Sequence, residues 1–389
     1  MAGLAAESTS ASRAAAMRSV RQDHAWRPVQ ARGIRLDVDR LLRERTVVEE
    51  EVRRLRVENG VDLMAASDAG VAAAHAWLAA NGVTVRDATG HPSLEQNAVA
   101  QAQVEDTTRA RVSYGALLAA RELGRTRGKL LELDRLRQGD RVYPQMIVRH
   151  TKTGRALARR PALQNLGRAL RGMLMADPGY VLVSLDYHQV EPTVAAAMSG
   201  DARLAADVAS GDVYTAAAAG WTFGGAPVNR SQAKVAFLAC LYGRGPSSTA
   251  ADLCMSEKDA ASLIDAVWTR YNRLREYRVE LQDRFAASEF MTTLGGRPLP
   301  ALGRGELYKS LNWMIQGSAA DIFEGGVMRV ADAIGPEALF LGVHDELILH
   351  VPFAQAESAR QVLAEQMPCT LGSVLITGDA EVLGTHWRK

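Results

Sequence analysis

The sequence predicts an α+β fold, and three observations carry that reading. The first 140 residues are almost entirely helical text with charged outer faces. Strong strand signals are few and confined to the second half. Long helical text, from about Val194 to Phe290, separates those strands in the chain. A length of 389 residues is enough for two or three packed units with substantial cores. The 46 Lys+Arg against 44 Asp+Glu leave a formal charge of +2, so net charge marks no partner and any basic surface must be local. Cys240, Cys254 and Cys369 form no C-x-x-C, which excludes a zinc knuckle or disulfide scaffold and fits a reduced, cytosolic compartment. No uncharged apolar run approaches the ~18–20 residues of a membrane span. The first twenty residues carry no apolar h-region of a secretory signal, and residues 1–29 are expected to be a disordered tail, with an amphipathic transit peptide as the alternative.

The elements can be taken in chain order. Residues 36–57 place Leu41, Leu42, Val48, Val52 and Leu55 on one helical stripe, with Asp39 as N-cap. A second helix is expected over 66–80, stopped by Asn81-Gly82. Residues 87–93 read as a loop, Ser93 caps the next helix, and helical text continues to about Arg137 with an interruption near Gly124 or Gly128. Val142–Val148 reads as a strand and GYVLVSLDY (179–187) as a buried one. After a Gly/Pro-rich turn at 294–305, a helix should run from Glu306 to Ala333. ALFLGVHDELILHVP (338–352) reads as a hairpin with a His344-Asp345-Glu346 tip, and at least three strands should share one sheet.

The chemistry gathers at four places. Asp186 and Asp345 each end an apolar strand, where a charge can leave the core. Side by side they would repel, raising one pKa unless a divalent ion intervenes, and oxygen ligands favour Mg²⁺ over zinc. Spacing alone cannot bring two residues this far apart together, and either could be a strand-end turn residue. In NRSQAKVAFLACLYG (229–243), Arg230 and Lys234 are i and i+4 with Phe237, Leu238, Leu241 and Tyr242 beyond. Two cations one turn apart suit a triphosphate, or a solvated helix edge. RHTKTGRALARRPALQNLGRALRG (149–172) holds Arg149, Lys152, Arg155, Arg159, Arg160, Arg168 and Arg171 without one acid, a local anion surface suited to duplex nucleic acid. Asn312 and Gln316 are i and i+4, able to meet minor-groove base edges or to satisfy each other in a core.

Taken together, DYHQVE (186–191), R-x3-K-x7-YG (230–243) and VHDE (343–346) resemble, in order and spacing, the three polymerase motifs of family A DNA polymerases. TKTGR (151–155) with P-x-LQN (161–165) is similar to the family's primer–template segment, NWMIQGSAAD (312–321) to its minor-groove helix, and G-T-H-W (384–387) to its C-terminal G-x-N-W. The similarity covers about 30–389. It implies a right hand: a thumb over 30–140, palm over 141–200 and 294–389, and fingers over 201–293. Carried residue by residue, Asp186 and Asp345 would hold two Mg²⁺ ions, with Mn²⁺ as a substitute and Glu346 as a supporting carboxylate. Arg230 and Lys234 would grip the dNTP phosphates, Lys234 as proton donor to pyrophosphate; Glu191 would be the gate against a ribose 2′-hydroxyl; Gln189, Leu238, Phe237, Tyr242 and His344 would complete the dNTP site. Arg155, Lys152, Arg171, Gln164, Asn165, Asn312, Gln316 and Gly243 would contact primer–template DNA.

The departures are specific. Leu238 stands where the family packs an aromatic ring on the sugar, and Phe237 could rotate to substitute. His188 replaces a small residue, Tyr308 an arginine, and Pro192-Thr193 a Leu-Arg; Pro192 should delay the following helix. The link from Asn165 to Arg171 looks shortened. The resemblance implies a monomeric template-directed DNA polymerase without 3′–5′ or 5′ nuclease domains, nucleoid-associated in the cytoplasm (or in host cytoplasm if phage-encoded), with a separate exonuclease or replisome proteins as partners. The alternative is a catalytically impaired polymerase-like DNA-binding accessory protein. A single-subunit RNA polymerase shares related motifs, and Glu191 speaks against it.

Overall fold

The computed structural model describes residues 2–64, 67–86, 94, 99, 111–149, 151–223, 226–253, 255–372 and 374–388. The chain opens with Ala2–Arg32 (α1), Ile34–Leu36 (β1), Val38–Asn59 (α2), Asp68–Ala80 (α3) and Arg111–Leu136 (α4). Short strands Arg141–Val142 (β2), Gln145–Ile147 (β3) and Leu157–Arg159 (β4), the turn Arg168–Arg171 (α5) and Leu174–Met175 (β5) lead to the long strand Tyr180–Tyr187 (β6). Helices Val190–Ser199 (α6), Ala202–Ala209 (α7) and Val213–Ala218 (α8), the hairpin Thr222–Phe223 (β7) and Ala226–Pro227 (β8), and Arg230–Tyr242 (α9), Pro246–Leu253 (α10), Glu257–Arg270 (α11) and Asn272–Ala286 (α12) come next. The chain then runs through Ser310–Ile334 (α13), Leu339–Val343 (β9), Glu346–Pro352 (β10), Ala356–Gln366 (α14), Cys369–Leu371 (β11), Val374–Ile376 (β12) and Gly378–Gly384 (β13).

The central sheet has the antiparallel order β13-β6-β10-β9. Its middle strands alternate little because both faces are covered: Leu182, Val183, Leu185, Leu347, Ile348 and Leu349 are all fully buried. One core runs from this sheet through α13 into the helices between β6 and α13. A second, around Leu63, Ala74, Leu78, Val83, Val85 and Leu117, holds α3 against α4.

Three expected strands, β6, β9 and β10, do share the sheet; the fourth, β13, is polar, glycine-bearing text with no alternation to reveal it. The expected strand over Val142–Val148 is instead β2 and β3 in different sheets, separated at Tyr143-Pro144. Residues 1–29 are not a disordered tail: from residue 2 they belong to α1, and Gln22, Trp26 and Val29, spaced i, i+4, i+7, are buried among the charges. Asp37, not Asp39, caps α2, its carboxylate accepting from Arg40 N at 2.9 Å. Helix α4 is uninterrupted, since Gly124 serves close approach to Met64, whose side chain would sit 3.2 Å from an added Cβ. Pro192 does not delay α6, which starts at Val190; in the first turn its missing N–H has no intrahelical acceptor to lose. The 87–93 loop, the Ser93 cap and Cys254 lie outside the described residues. Among those described, no helix is long and apolar enough to cross a membrane.

Candidate active site

The β6–β10 ladder pairs Glu346 with Asp186, and β13 pairs Asp379 with Asp186 from the other side. Tyr187 N donates to Asp345 O at 3.1 Å, tying the hairpin tip to the end of β6. His344 turns that tip with φ 55°, in the left-handed region. Gly378 faces Tyr187 where an added Cβ would overlap the Asp186 carbonyl, so only glycine fits beside the aspartate. This ladder supplies what spacing could not: Asp186 and Asp345 border one cleft of about 800 Å³.

Its electrostatics are concentrated. Desolvation pushes the Asp345 carboxyl up to about 6; Arg155 opposes the rise, while the Glu191 and Asp186 carboxylates add to it. Glu191, in the first turn of α6, has both oxygens engaged: Arg155 Nη2 reaches Oε1 at 2.5 Å, and the Tyr242 hydroxyl donates to Oε2 at 2.8 Å. Arg155 Nη2 also lies 3.7 Å from Asp345 Oδ1. Burial, then Arg155 and Arg171, hold the His344 imidazole below its usual value. Helix α9 forms the facing wall. An Asn229–Gln232 capping box starts it, aiming Arg230 and Lys234 at the cleft. Arg230 Nε donates to Asp212 Oδ2 at 2.6 Å, and the two cationic heads lie 5.4 and 5.6 Å from the Tyr214 ring centroid.

Of the residues singled out in the sequence, Asp186, Asp345, Lys234, Arg230, Glu191, Leu238, Tyr242, Gln189, His344 and Arg155 line this cleft. Phe237 does not. It is fully buried, edge-on to Tyr214 and Tyr271, so it does not rotate to replace the aromatic ring missing at Leu238. Gln189 uses its amide to join Gly211 O and Val213 N, at 2.8 and 2.7 Å, bracing α6 against α8. Gln164 is similarly committed, to Gly342 O, Ala156 O and Ala158 N, and with Asn165 it borders a neighbouring cavity of about 230 Å³. Asn312 and Gln316 are no self-satisfied pair: Asn312 Oδ1 is buried without a partner, and Gln316 bonds to the Tyr242 hydroxyl. Glu346 is buried in the ladder beside Asp186. Gly243 is the left-handed C-cap of α9, packed on Tyr308.

The cationic segment is less uncompensated than its local sequence suggests. Arg149 pairs with Glu324 at 3.3 Å and Arg155 with Glu191. Lys152 lies over Trp313 and Arg171 over Trp387. Sequence reasoning missed Asp212 and Tyr214, because GDVYT carries no signal beyond an Asp N-cap.

A family model described as "DNA polymerase family A" matches residues 81–389. The chain belongs to DNA polymerase family A. Its similarity to the thermostable DNA polymerase I of Thermus filiformis is 28% identity over 371 residues, 87% of this chain and 44% of that one. To the DNA polymerase I of Caldicellulosiruptor bescii it is 30% over 253 residues, 58% and 30%; to the DNA polymerase of Mycobacterium phage D29, 30% over 222 residues, 56% and 36%. The chain thus spans under half the length of these family A relatives. The POL domain of Pol1 from M. smegmatis, solved with DNA primer-template and dNTP, superposes with a TM-score of 0.76 at 22% identity, over 92% of this chain and 67% of that one. The expected family A polymerase fold is therefore the observed one.

Proposed function

We propose that this chain is a template-directed DNA polymerase that adds dNTPs to a primer 3′-hydroxyl, with primer–template DNA and dNTPs as its partners. The observation that carries the reading is the cleft itself, whose lining brings Asp186, Asp345 and Glu191 together with Arg230 and Lys234. Family membership supports it.

The carboxylates fit divalent cations. Asp345 is desolvated beside Glu191 and Asp186, so its charge lacks a full counter-charge even with Arg155 close by. A pair of carboxylates suits Mg²⁺, which keeps water and substrate oxygens around one or two such ligands, with Mn²⁺ as a substitute. Asp186 and Asp345 would hold the ions. When bound, two such ions supply Lewis acidity at the primer hydroxyl and neutralise charge on the departing pyrophosphate.

The chain's own residues do the rest. Arg230 and Lys234 bind the triphosphate, and Lys234 gives a proton to the departing pyrophosphate. Glu191, held from two sides, closes the position a ribose 2′-hydroxyl would occupy. Arg155, His344, Gln316 and Asn312 meet the primer terminus at its minor-groove edge, where acceptors are alike for every base pair.

Primer extension with Mg²⁺ tests this, using dNTPs or NTPs beside Asp186→Asn and Asp345→Asn. Each variant should lose about three or more orders of magnitude in rate while primer–template affinity changes little. Wild-type protein that binds primer–template tightly and extends nothing would instead establish a DNA-binding accessory.

A further inference from the structure

We propose that Arg297 is a positioning residue for sugar selection, acting through Arg155 on the Glu191 gate; the proposal rests on the polymerase reading above. Arg297 lies outside the cleft and is 7% exposed. Its guanidinium ties its own turn to two other segments, the loop at Thr153 and helix α13 at Gly317 and Asp321. Nη2 donates to Thr153 O at 2.7 Å and to Gly317 O at 3.0 Å, and Nε faces Asp321 Oδ1 at 3.3 Å. Asp321 Oδ2 in turn accepts from Gly295 N at 3.0 Å. A cation this deep is tolerated only when paired and hydrogen-bonded, and Asp321 supplies the countercharge.

Two glycines make room for it. At Gly154, with φ 85°, an added Cβ would overlap the Arg297 guanidinium; at Gly317 it would approach Nη2 to 2.9 Å. The guanidinium therefore sits against the loop Thr151–Arg155 on one side and the helix carrying Asn312 and Gln316 on the other. The loop is closed on itself, Gly154 N to Thr151 O at 2.8 Å and Arg155 N to Thr151 Oγ1 at 2.9 Å. Pinning Thr153 consequently sets where Arg155 begins, and Arg155 ends on Glu191. Lysine cannot reproduce this arrangement, since it has one donor centre where arginine has a fork.

The test is the ratio of kcat/KM for dNTP over NTP in single-nucleotide extension. Arg297→Lys should lower that ratio about tenfold, and Arg155→Ala should lower it comparably. If the two act in series, Arg297→Lys in the Arg155→Ala background should change the ratio by less than about twofold. Asp321→Asn, which keeps the shape and removes the countercharge, repeats the measurement should Arg297→Lys fail to fold. An unchanged ratio at reduced activity, or two effects that multiply, would overturn the proposal and leave the polymerase reading standing. A wild-type protein that extends no primer would remove both.

Discussion

Tyr242 on α9 donates its hydroxyl hydrogen to Glu191 on α6 across the cleft, at 2.8 Å. The bond links the helix that carries Arg230 and Lys234 to a carboxylate whose charge reaches Asp345. Removing it by Tyr242→Phe leaves a buried carboxylate oxygen without its donor. The expected outcome is a loss of about 1–3 kcal/mol in urea unfolding. Ribonucleotide incorporation should rise relative to dNTP, read in the same extension assay.

Leu238 lines the cleft, while its neighbour Phe237 is locked between Tyr214 and Tyr271. Among the described residues lining the cleft there is thus no phenylalanine to stack on a sugar. Leu238→Phe should add such a contact, worth about 0.5–1.5 kcal/mol. KM for dNTP is expected to fall by about two- to tenfold, and the preference for dNTP over NTP to rise. Identical ratios in the two proteins would show that this position does not read the sugar.

Glu324 on α13 is buried, and desolvation outweighs its partner Arg149 to push its carboxyl up to about 7. A raised folded-state value means that the native protein holds this proton more tightly than the unfolded chain does. The stabilisation is complete below about 4.5 and is lost as pH rises through about 7. Glu324→Gln should remove that slope. From pH 5 to pH 8, chemical unfolding should shift in favour of the variant, by at most about 1.4 kcal/mol per pH unit within the window. A constant difference at both pH values would assign Glu324 an ordinary titration.

Two of the seven cations in 149–171 are committed to carboxylates, Arg149 to Glu324 and Arg155 to Glu191. If three or four of the others touch DNA phosphates, the logarithm of the primer–template binding constant should fall with the logarithm of salt at a slope of about −3 to −4. A slope near about −1 would place this segment away from the duplex.

Much of this arrangement was legible in the sequence. Strand β6 announces itself because burial on both faces demands a continuous apolar run, and Asp186 stands out against it. The β9–β10 hairpin is legible for the same reason, and Arg230 with Lys234 through helical spacing. The hidden part is tertiary. Strand β13 carries no pattern, since its polar residues are exposed at the sheet edge and its glycine is dictated by the Asp186 carbonyl. Helix α1 hides Gln22, Ala25, Trp26 and Val29, all buried, among alanines and charges, and a stripe that narrow is lost in a segment read by composition. Phe237 and Leu238 differ by one residue, about 100° of helix, and only packing against Tyr271 decides which of them faces the cleft. Asp212 and Arg297 act through partners far along the chain, so nothing nearby marks them.

The pairing of β6 with β10 has a consequence during synthesis. Glu346 lies on the ribosome's schedule long after Asp186, and β13 comes later still. A nascent chain exposing only the first aspartate has no acidic floor, because the strands that would flank it have not been made. The acidic end of this cleft is among the last features this protein can acquire.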